Sequence, residues 1–366
     1  MKKILILANN AVGLYNFRFE LINKLINQGF QVYFSIPEPA EDGKVKLIIN
    51  TGAKHIQTYI NRRGMNPLED LKLIKEYKRI IREIDPDLIL TYTIKPNIYG
   101  TYAASKYKKP VIMNITGIGS SLANRKLKYL VKKLYKYACA KATFVFFQNE
   151  SNYSFFVSNN MVNKHKTKII PGSGVNIDKF RPVDKKNKDE KMRFLYIGRI
   201  MKEKGIEEYL QVAEGLIKKY SNLEFCIVGS FEEEKYRDII HNKSVIYLGI
   251  SNDVREEIRE ADCIVNPSYH EGMSNVLLEG AAMGKPLIAS NIPGCKEIVE
   301  DGENGYLFKV KSAASLEDKI IQFIEIGSKE RKLMGKKSRE KVEAEFDRNI
   351  VINEYLKAIN NISNKG

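Results

Sequence analysis

Residues 262–290 read DCIVNPSYHEGMSNVLLEGAAMGKPLIAS, and this stretch decides the fold. Residues 262–266 form a largely apolar run typical of a buried strand, and PLIAS (286–290) forms a second one. Between them, an apolar periodicity that begins near Ser274 predicts a helix, and Gly272 marks the turn before it. A strand, a helix and a second strand in this order predict a βαβ unit with two parallel strands in one sheet.

The same alternation extends toward both ends of the chain. The other candidate strands are 3–8, 32–36, 87–92, 110–115, 143–148 and 167–170 in the first half, and 192–198, 223–229 and 245–249 in the second. A stretch rich in Gly, Pro and charge (171–190) separates the two series, as an interdomain linker would. We therefore predict an α/β protein of two Rossmann-like βαβ domains that face a central cleft. The expected domains are 1–172 and 173–345, with 346–366 as a C-terminal helix that packs back on the first.

Length and composition restrict the class of protein. The chain has 366 residues, of which 43% are hydrophobic and 28% charged, as expected for an ordinary globular protein of two domains. No stretch approaches the roughly 20 apolar residues that a membrane-spanning helix requires. Four cysteines are scattered without metal-ligand spacing, which indicates reduced thiols in a cytosolic protein. They are Cys139, Cys226, Cys263 and Cys295.

The excess of basic over acidic residues is confined to the first half of the chain. Residues 1–180 hold 29 basic and 12 acidic residues, whereas residues 181–366 hold 31 and 32. A field this one-sided predicts that the first domain meets an anionic partner: a phosphorylated substrate, an anionic membrane surface or nucleic acid. Nucleic acid is disfavoured, because no recognised binding motif is present and the second half has no basic excess.

The residues that carry chemistry gather in EGMSNVLLE (271–279). Amides at a helix N-terminus attract anions, and Gly272 allows a ligand to approach the backbone closely, so the segment predicts a phosphate site. The amides concerned are those of Ser274, Asn275 and Val276. Glu271 and Glu279 would repel a phosphate unless they accept hydrogen bonds from sugar or ribose hydroxyls. Taken alone, their spacing favours two solvated glutamates on a helix.

The surrounding residues favour a ligand site over two solvated glutamates, because segment 271–279 resembles the EX7E motif of the retaining GT-B glycosyltransferases. This family includes bacterial capsule, O-antigen and mannosyl transferases. The resemblance implies that Glu271 contacts donor-sugar hydroxyls, that Glu279 binds the nucleotide ribose, and that the amides from Met273 to Val276 hold the diphosphate. GRIMKEKG (198–205) is similar to the family's segment after the first strand of the second domain. There, Gly198 ends the strand, and two cations would neutralise the leaving diphosphate. These are Arg199 and Lys204.

Two further segments extend the resemblance, and two loops of the first half depart from it. PGSGVNIDKF (171–180) is similar to the family's linker, with Gly174 near the diphosphate. NNAVGLYNFR (9–18) is expected to be a glycine-bearing loop with Gly13 facing the donor. In it, Asn16 and Arg18 either touch the acceptor or simply cap and solvate the first helix. Many relatives carry a His or Asp in the loops that here read TYTIKPN (91–97) and NITGIGSS (114–121). The candidate acceptor residues in these loops are Lys95, Asn97 and Thr116.

No group of His, Cys and carboxylates has metal-ligand spacing: the HExxH start at His270 fails at Ser274, and Asp85-Pro-Asp87 is typical of a turn. We therefore expect neither metal nor other cofactor. The resemblance implies same-face substitution, in which the leaving phosphate accepts the acceptor's proton. The expected donor is a UDP-linked HexNAc or hexose, and the expected acceptor is a polyprenyl-diphosphate-linked saccharide used in capsule or glycan assembly.

The segment 124–141 is a candidate for a basic amphipathic helix at an anionic membrane surface. Its apolar residues recur at helical spacing among many lysines, which is equally compatible with a core helix that has a solvated basic face. These residues are Leu127, Leu130, Val131, Leu134 and Ala138. We predict a cytoplasmic protein, peripheral at the inner face of the plasma membrane. The alternatives are a transferase with a soluble acceptor, a nucleotide-sugar epimerase and, more remotely, a basic nucleic-acid-binding protein.

Overall fold

A computed structural model describes residues 2–62, 64, 66–117, 125–186 and 191–363, with the backbone alone for 125–128. The chain folds as two compact units: residues 1–173 together with 351–366, and residues 174–350. Each unit is an α/β structure with one parallel sheet, as the sequence predicts. Among the described residues, no helix combines the length and hydrophobicity that crossing a membrane demands.

The first unit contains a seven-stranded sheet with the order β3-β2-β1-β4-β5-β6-β7. Its strands are β1 (Lys3–Leu7), β2 (Gln31–Ile36), β3 (Lys54–Gln57), β4 (Leu88–Tyr92), β5 (Val111–Ile115), β6 (Phe144–Phe147) and β7 (Thr167–Ile169). Its helices are α1 (Ala11–Asn27), α2 (Gly43–Ile49), α3 (Pro67–Ile84), α4 (Thr101–Lys106), α5 (Arg125–Lys141) and α6 (Glu150–Ser158). Strand β3 is not among the strands predicted from the sequence, because its side chains are half-buried or exposed and give no apolar run.

The second unit contains a six-stranded sheet with the order β10-β9-β8-β11-β12-β13. Its strands are β8 (Met192–Ile197), β9 (Leu223–Val228), β10 (Ile246–Tyr247), β11 (Cys263–Asn266), β12 (Leu287–Ser290) and β13 (Gly305–Phe308). Its helices are α7 (Ile206–Lys219), α8 (Lys235–His241), α9 (Arg255–Glu260), α10 (Asn275–Ala282), α11 (Ala313–Glu325) and α12 (Ser328–Glu345).

The last helix, α13 (Arg348–Ser363), completes the core of the first unit. From Val351 onward its apolar face packs against α1 and the central strands, with Tyr355 among the buried side chains of that core. The predicted segment begins at 346, but Phe346 is buried in the core of the second unit and Asp347 bridges Val175 there.

Both sheets have a topological switch point, where neighbouring strands send their connections to opposite sides. In the first unit it lies between β1 and β4, and in the second between β8 and β11. Ligands of open α/β sheets bind at the carboxyl ends of the strands beside such a point. The loops after these four strands are therefore where a site is expected.

Candidate active site

The loops that follow β8 and β11 pack directly on each other. Gly205 ends the first loop with φ 72°, and a Cβ placed there would lie 2.0 Å from the carbonyl oxygen of Pro267 in the second loop. Only glycine fits at this approach. The amide of Tyr269 also donates to the carbonyl of Glu203 at 2.9 Å, so that the backbone holds the two loops in register.

This packing brings together Lys204 and Glu271, two site residues that the sequence analysis selected from different motifs. They are 67 positions apart in the chain, and Nζ of Lys204 donates to Oε1 of Glu271 at 2.6 Å. Their side chains are 23% and 15% exposed, so the pair is sheltered but open to a ligand. Such an ion pair presents a cation and a hydroxyl acceptor side by side.

Ser274 caps α10, and its role is more structural than the sequence suggests. Its side chain accepts a hydrogen bond from the amide of Leu277, as expected of an N-cap residue. The Ser274 hydroxyl also accepts a short hydrogen bond from Nδ2 of the buried Asn266 at the end of β11. The Ser274 amide itself donates to the carbonyl of Gly294 at 2.8 Å, which argues against its predicted use as an anion ligand.

The amides of Asn275 and Val276 remain as candidate anion-binding groups of α10. They precede the first intrahelical hydrogen bond, which runs from the Leu278 amide to the Ser274 carbonyl, and therefore have no acceptor within the helix. Met273, by contrast, points its side chain into the apolar core, which leaves only its backbone toward the turn.

Gly294, in the loop after β12, supports the turn that carries Glu271, and the sequence analysis did not select it. It has φ 88°, and a Cβ there would lie 2.8 Å from the Gly272 carbonyl oxygen and 2.9 Å from Cβ of Glu271. Its amide donates to Glu297 at 2.7 Å. The sequence signal was the dipeptide Pro293-Gly294, which is typical of a turn.

Arg199 lies at the same sheet edge with its side chain 49% exposed, and its guanidinium is 3.5 Å from Glu232. Burial raises the pKa of Tyr196, the negative charge of Glu271 raises it further, and the positive charge of Arg199 lowers it. Arg199 and Glu271 are therefore both within electrostatic range of one tyrosine. Gly198 ends β8 as predicted, with its amide donating to the Val228 carbonyl.

Glu279 lies within α10, eight positions after Glu271 in the sequence. Burial raises the pKa of its carboxyl to about 7, although the cations of Arg348 and Lys179 oppose this and the carboxylate of Asp253 adds to it. A carboxyl of this kind is partly protonated at neutral pH, and hydrogen bonds donated by a ligand would favour its ionised form.

Gly174, which the resemblance places near the diphosphate, packs against Arg348, and its position beside a diphosphate stays a prediction. Its carbonyl accepts a hydrogen bond from Nη2 of Arg348 at 3.1 Å, and its Cα packs on the backbone of Arg348. Arg348 is in turn one of the cations that act on Glu279. Gly174 therefore supports the surroundings of Glu279 through Arg348.

Three of the predicted residues in the first unit lie in α1 and not in a loop: Gly13, Asn16 and Arg18. Gly13 is in the first turn, where its amide donates to the N-cap Asn10 at 2.6 Å. The exposed Asn16 follows in the same helix. Arg18 is neither solvated nor a cap: it is 4% exposed, with its guanidinium 4.5 Å from the ring centroid of Tyr92. Its position is a buried cation–π contact.

The loop after β4 contains an ordered polar cluster. Lys95 donates to Asp70 at 2.7 Å, and the hydroxyl of Tyr99 donates to the other carboxylate oxygen at 2.7 Å. Thr93 begins this loop with φ 72°, a conformation that β-branched residues rarely adopt. It leads to a π-helical turn at Pro96–Gly100, a feature that is frequent at functional sites. Lys95 is thus held in place by a partner that the sequence analysis did not select.

Asn97, from the same loop, is an internal cross-link, which argues against its predicted contact with the acceptor. The side chain is buried, its Oδ1 accepts from the hydroxyl of Thr91 at 2.8 Å, and its Nδ2 donates to the carbonyl of Asn114 at 2.8 Å. It therefore ties the end of β4 to β5. Thr116, just after β5, is half-buried and stays a candidate.

The expected amphipathic helix exists as α5, but its apolar stripe faces the protein. Val131 and Ala138 lie in the core of the first unit, whereas Leu130 is exposed. Leu127 and the basic side chains of 125–128 lie outside the described residues. The outer face of α5 instead carries Tyr129, Tyr137 and several lysines, so any membrane contact must use that face.

No group of three His, Cys, Asp or Glu side chains with metal-binding geometry occurs among the described residues. The four cysteines are buried and unpaired. Burial raises the pKa of Cys295, near Glu271 and Lys204, well above its ordinary value. A thiol of this kind is not a nucleophile at neutral pH.

Two family models match the chain. The model described as "Glycosyl transferases group 1" matches residues 176–341, which include the Lys204–Glu271 site, and the model described as "Glycosyl transferase 4-like" matches residues 3–149. The protein is a glycosyltransferase with the GT-B fold. Within that class, residues 176–341 are similar to the group 1 glycosyltransferases and residues 3–149 to the 4-like glycosyltransferases.

Similar proteins agree with this assignment. An N,N'-diacetylbacillosaminyl-diphospho-undecaprenol alpha-1,3-N-acetylgalactosaminyltransferase of Campylobacter jejuni is 28% identical over 96% of each chain. A UDP-Gal:alpha-D-GlcNAc-diphosphoundecaprenol alpha-1,3-galactosyltransferase of Escherichia coli is 26% identical over 76% of this chain and 76% of its own. Anabaena HepE, solved in complex with UDP and glucose, has the same fold, with a TM-score of 0.79, 18% identity and coverage of 98% of this chain and 100% of its own.

Proposed function

We propose that the protein transfers a HexNAc or hexose from a UDP-sugar to a saccharide carried on polyprenyl diphosphate, with retention of the anomeric configuration. The lipid-linked acceptor is supported by the names of the similar Campylobacter jejuni and Escherichia coli enzymes. The choice of UDP is supported by the donor named for the second of these and by the UDP bound to Anabaena HepE.

The observation that carries the proposal is the pair of Lys204 and Glu271 beside the first amides of α10. In the proposed complex, the diphosphate lies against the amides of Asn275 and Val276, and Lys204 turns from Glu271 to a phosphate oxygen. Glu271 then accepts hydrogen bonds from hydroxyls of the donor sugar. Lys204 thus exchanges the Glu271 carboxylate for a phosphate oxygen, while Glu271 exchanges the Lys204 ammonium for sugar hydroxyls. Neither charge is left without a partner in the proposed complex.

Bond cleavage transfers negative charge to the diphosphate, and the proposed role of the site is to stabilise that charge. Lys204, Arg199 and the N-terminus of α10 are three sources of positive potential at one sheet edge. The leaving phosphate oxygen takes the proton of the attacking hydroxyl on the same face. The chain's own cations neutralise the leaving group in this mechanism, which assigns no step to a metal.

Glu279 is proposed to bind the ribose. Its carboxyl is partly neutral in the absence of ligand, and two ribose hydroxyls would stabilise the ionised form by donating to it. The carboxylate of Asp253 raises the pKa of Glu279, so the loop before α9 lies near this carboxyl. A nucleoside between α10 and that loop is compatible with this arrangement. Base recognition by the backbone of residues 249–253 follows from the same placement.

The acceptor is proposed to meet the carboxyl edge of the first sheet. Lys95 and Thr116 follow β4 and β5 there, and Lys95 is oriented by Asp70. Peripheral binding at the inner face of the plasma membrane would bring a lipid-linked acceptor within reach. The outer face of α5 suits such contact, because Lys133 stacks on Tyr129 and Lys141 on Tyr137, and both tyrosines are exposed.

A donor-hydrolysis and transfer assay tests the proposal. Purified protein is incubated with a panel of UDP-, GDP- and dTDP-sugars, each with polyprenyl-diphosphate-linked saccharide or with the same saccharide free in solution. We expect transfer from a UDP-sugar to the lipid-linked acceptor, with an α-linked product. Transfer to the free saccharide at an equal rate would instead support a transferase with a soluble acceptor.

A further inference from the structure

A groove of about 620 Å³ lies in the first unit at the amino ends of β5, β6 and β7, on the edge of the sheet opposite to the loops described above. The second half of α13 forms its other wall. This volume is in the range of pockets that hold small organic ligands. None of the residues assigned to donor or acceptor lines it.

The groove has an apolar floor. Phe144 and Phe146 contribute their rings, which are 5.1 Å apart between centroids, and α13 contributes Ala358 and Ile362. Because Phe146 also packs on Tyr355 at 4.7 Å, the floor is continuous with the core and has a fixed shape. An apolar surface of this kind favours hydrocarbon over water.

The rim of the groove is cationic. Three lysines and one glutamate line it, which gives a formal charge of +2, and His165 lies among them. Glu354 is 2.5 Å from Nζ of Lys168 and 3.0 Å from Nζ of Lys357, so one carboxylate serves two ammonium groups. The two lysines therefore retain capacity for a second anion.

The third lysine connects the groove to α5. Nζ of Lys166 donates to the carbonyls of Ala140 and Ala142 at the end of that helix. The outer face of α5, with Tyr137 and Lys141 stacked at 6.0 Å, therefore begins next to the groove. Exposed tyrosines among lysines are typical of surfaces at the boundary between lipid and water.

We propose that this groove binds an anionic membrane phospholipid, with its phosphate between Lys168 and Lys357 and the first part of an acyl chain over the two phenylalanines. An apolar floor beneath a cationic rim matches a molecule that is anionic at one end and hydrocarbon at the other. The adjoining α5 face identifies a membrane as its source. The site is separate from the donor site and would add lipid selectivity to membrane attachment.

The test uses the absence of tryptophan from the sequence. Asn361→Trp introduces a single fluorophore at an exposed position that lines the groove, and Asn360→Trp introduces one at the neighbouring exposed position, which does not. Each full-length variant is titrated with short-chain phosphatidylglycerol or phosphatidylcholine, brominated on the acyl chain and kept below its micellar concentration. Bromine quenches tryptophan only near contact, so quenching reports occupancy of the groove.

We expect saturable quenching of the tryptophan at 361 by phosphatidylglycerol, at least tenfold weaker binding of phosphatidylcholine, and little quenching at 360. In the Asn361→Trp background, Lys168→Gln with Lys357→Gln should weaken binding of phosphatidylglycerol about tenfold, whereas the exposed pair Lys72→Gln with Lys75→Gln should leave it within twofold. Thermal unfolding checks that each variant is folded.

Equal quenching at 360 and 361, equal binding of the two lipids, or equal losses from both lysine pairs would overturn the proposal, since each outcome means nonspecific adsorption. Displacement by millimolar inorganic phosphate alone would also overturn it, because the groove would then be a simple anion site. None of these results depends on glycosyl transfer.

Discussion

The carboxyl edges of the two sheets have the same architecture. They differ in how many of their polar side chains are already occupied by contacts within the protein. In the second unit, Lys204, Glu271 and the first amides of α10 face the edge of the sheet and keep capacity for a ligand. In the first unit, the side chain of Asn97, in the loop after β4, is occupied by hydrogen bonds to Thr91 and Asn114, and Arg18, within α1, is buried against Tyr92. A polar residue near a strand end is therefore a weaker indication of a site when its hydrogen-bonding groups already serve the protein's own packing.

The largest effect that tests this comparison is expected from Lys204 and Glu271. Replacement of either by alanine should lower kcat by about a thousandfold, because each removes a preorganised contact to the donor. Turnover is measured with the UDP-sugar found in the panel assay. Lys202→Ala is the matched control, since Lys202 lies in the same short turn, is exposed and pairs with Glu207. Turnover near that of the control from Lys204→Ala or Glu271→Ala would remove the assignment.

A smaller loss is expected from Arg199→Ala, about ten- to a hundredfold in kcat, because its guanidinium is more exposed and its pairing with Glu232 is long. Unfolding by urea should be unchanged within about 0.5 kcal/mol, as for other exposed side chains. Arg199→Lys should recover part of the rate, which a purely structural role would not explain. A loss of stability that matched the loss of rate would contradict this account.

The pH dependence of donor binding tests the role of Glu279 in the second unit. Because its carboxyl has a pKa of about 7 in the free protein, donor binding to the ionised form should weaken about tenfold per pH unit below 7. A nucleotide sugar is a suitable probe, because its phosphates do not titrate between pH 5 and 8. Glu279→Gln should bind more weakly at pH 8 and lose this dependence. A retained pH slope in the variant would assign the titration to another group.

The same carboxyl affects the stability of the ligand-free protein. A raised pKa in the folded state means that the unfolded chain holds fewer protons between about pH 4.5 and 7. The wild type should therefore lose stability relative to Glu279→Gln as pH rises through this window, by about 1 to 3 kcal/mol in total. Urea unfolding of both proteins at pH 5 and pH 8 measures the difference, and an equal change in the two would contradict it.

The smallest effect on turnover is expected from Asn97. Asn97→Ala leaves the Thr91 hydroxyl and the Asn114 carbonyl without their partner, so stability should fall by about 2 kcal/mol while kcat per folded molecule stays within about threefold. Lys95→Ala is the contrasting variant, with a rise in KM for the acceptor expected in its place. A rise in acceptor KM for Asn97→Ala would return that residue to the site.

Much of the fold could be predicted from the sequence, because buried parallel strands are continuous apolar runs and the helices between them are amphipathic. The two strands that were missed have physical explanations. Strand β3 lies at the sheet edge and is only half-buried. Strand β13 has four residues and directly follows a turn. The start of α13 was misplaced by two residues because Phe346 belongs to a core that the local pattern does not reveal.

The candidate site in the second unit could be predicted because its groups lie in short glycine-bearing loops whose function requires their residue types. The polar contacts of the first unit could not be predicted, because the residues that make them are distant from each other in the sequence. Asn114 donates to Tyr355, 241 positions away, and Lys95 meets Asp70 on a helix that carries no motif. Burial of Arg18 depends on the same C-terminal helix. Local sequence carries no signal for such contacts.

A crystal structure of the protein with UDP measures the central claim most directly. The account predicts diphosphate oxygens within hydrogen-bond distance of the amides of Asn275 and Val276 and of Nζ of Lys204, with the ribose hydroxyls donating to Glu279. A diphosphate bound elsewhere, with Lys204 still paired to Glu271 and Arg199 directed to solvent, would contradict it.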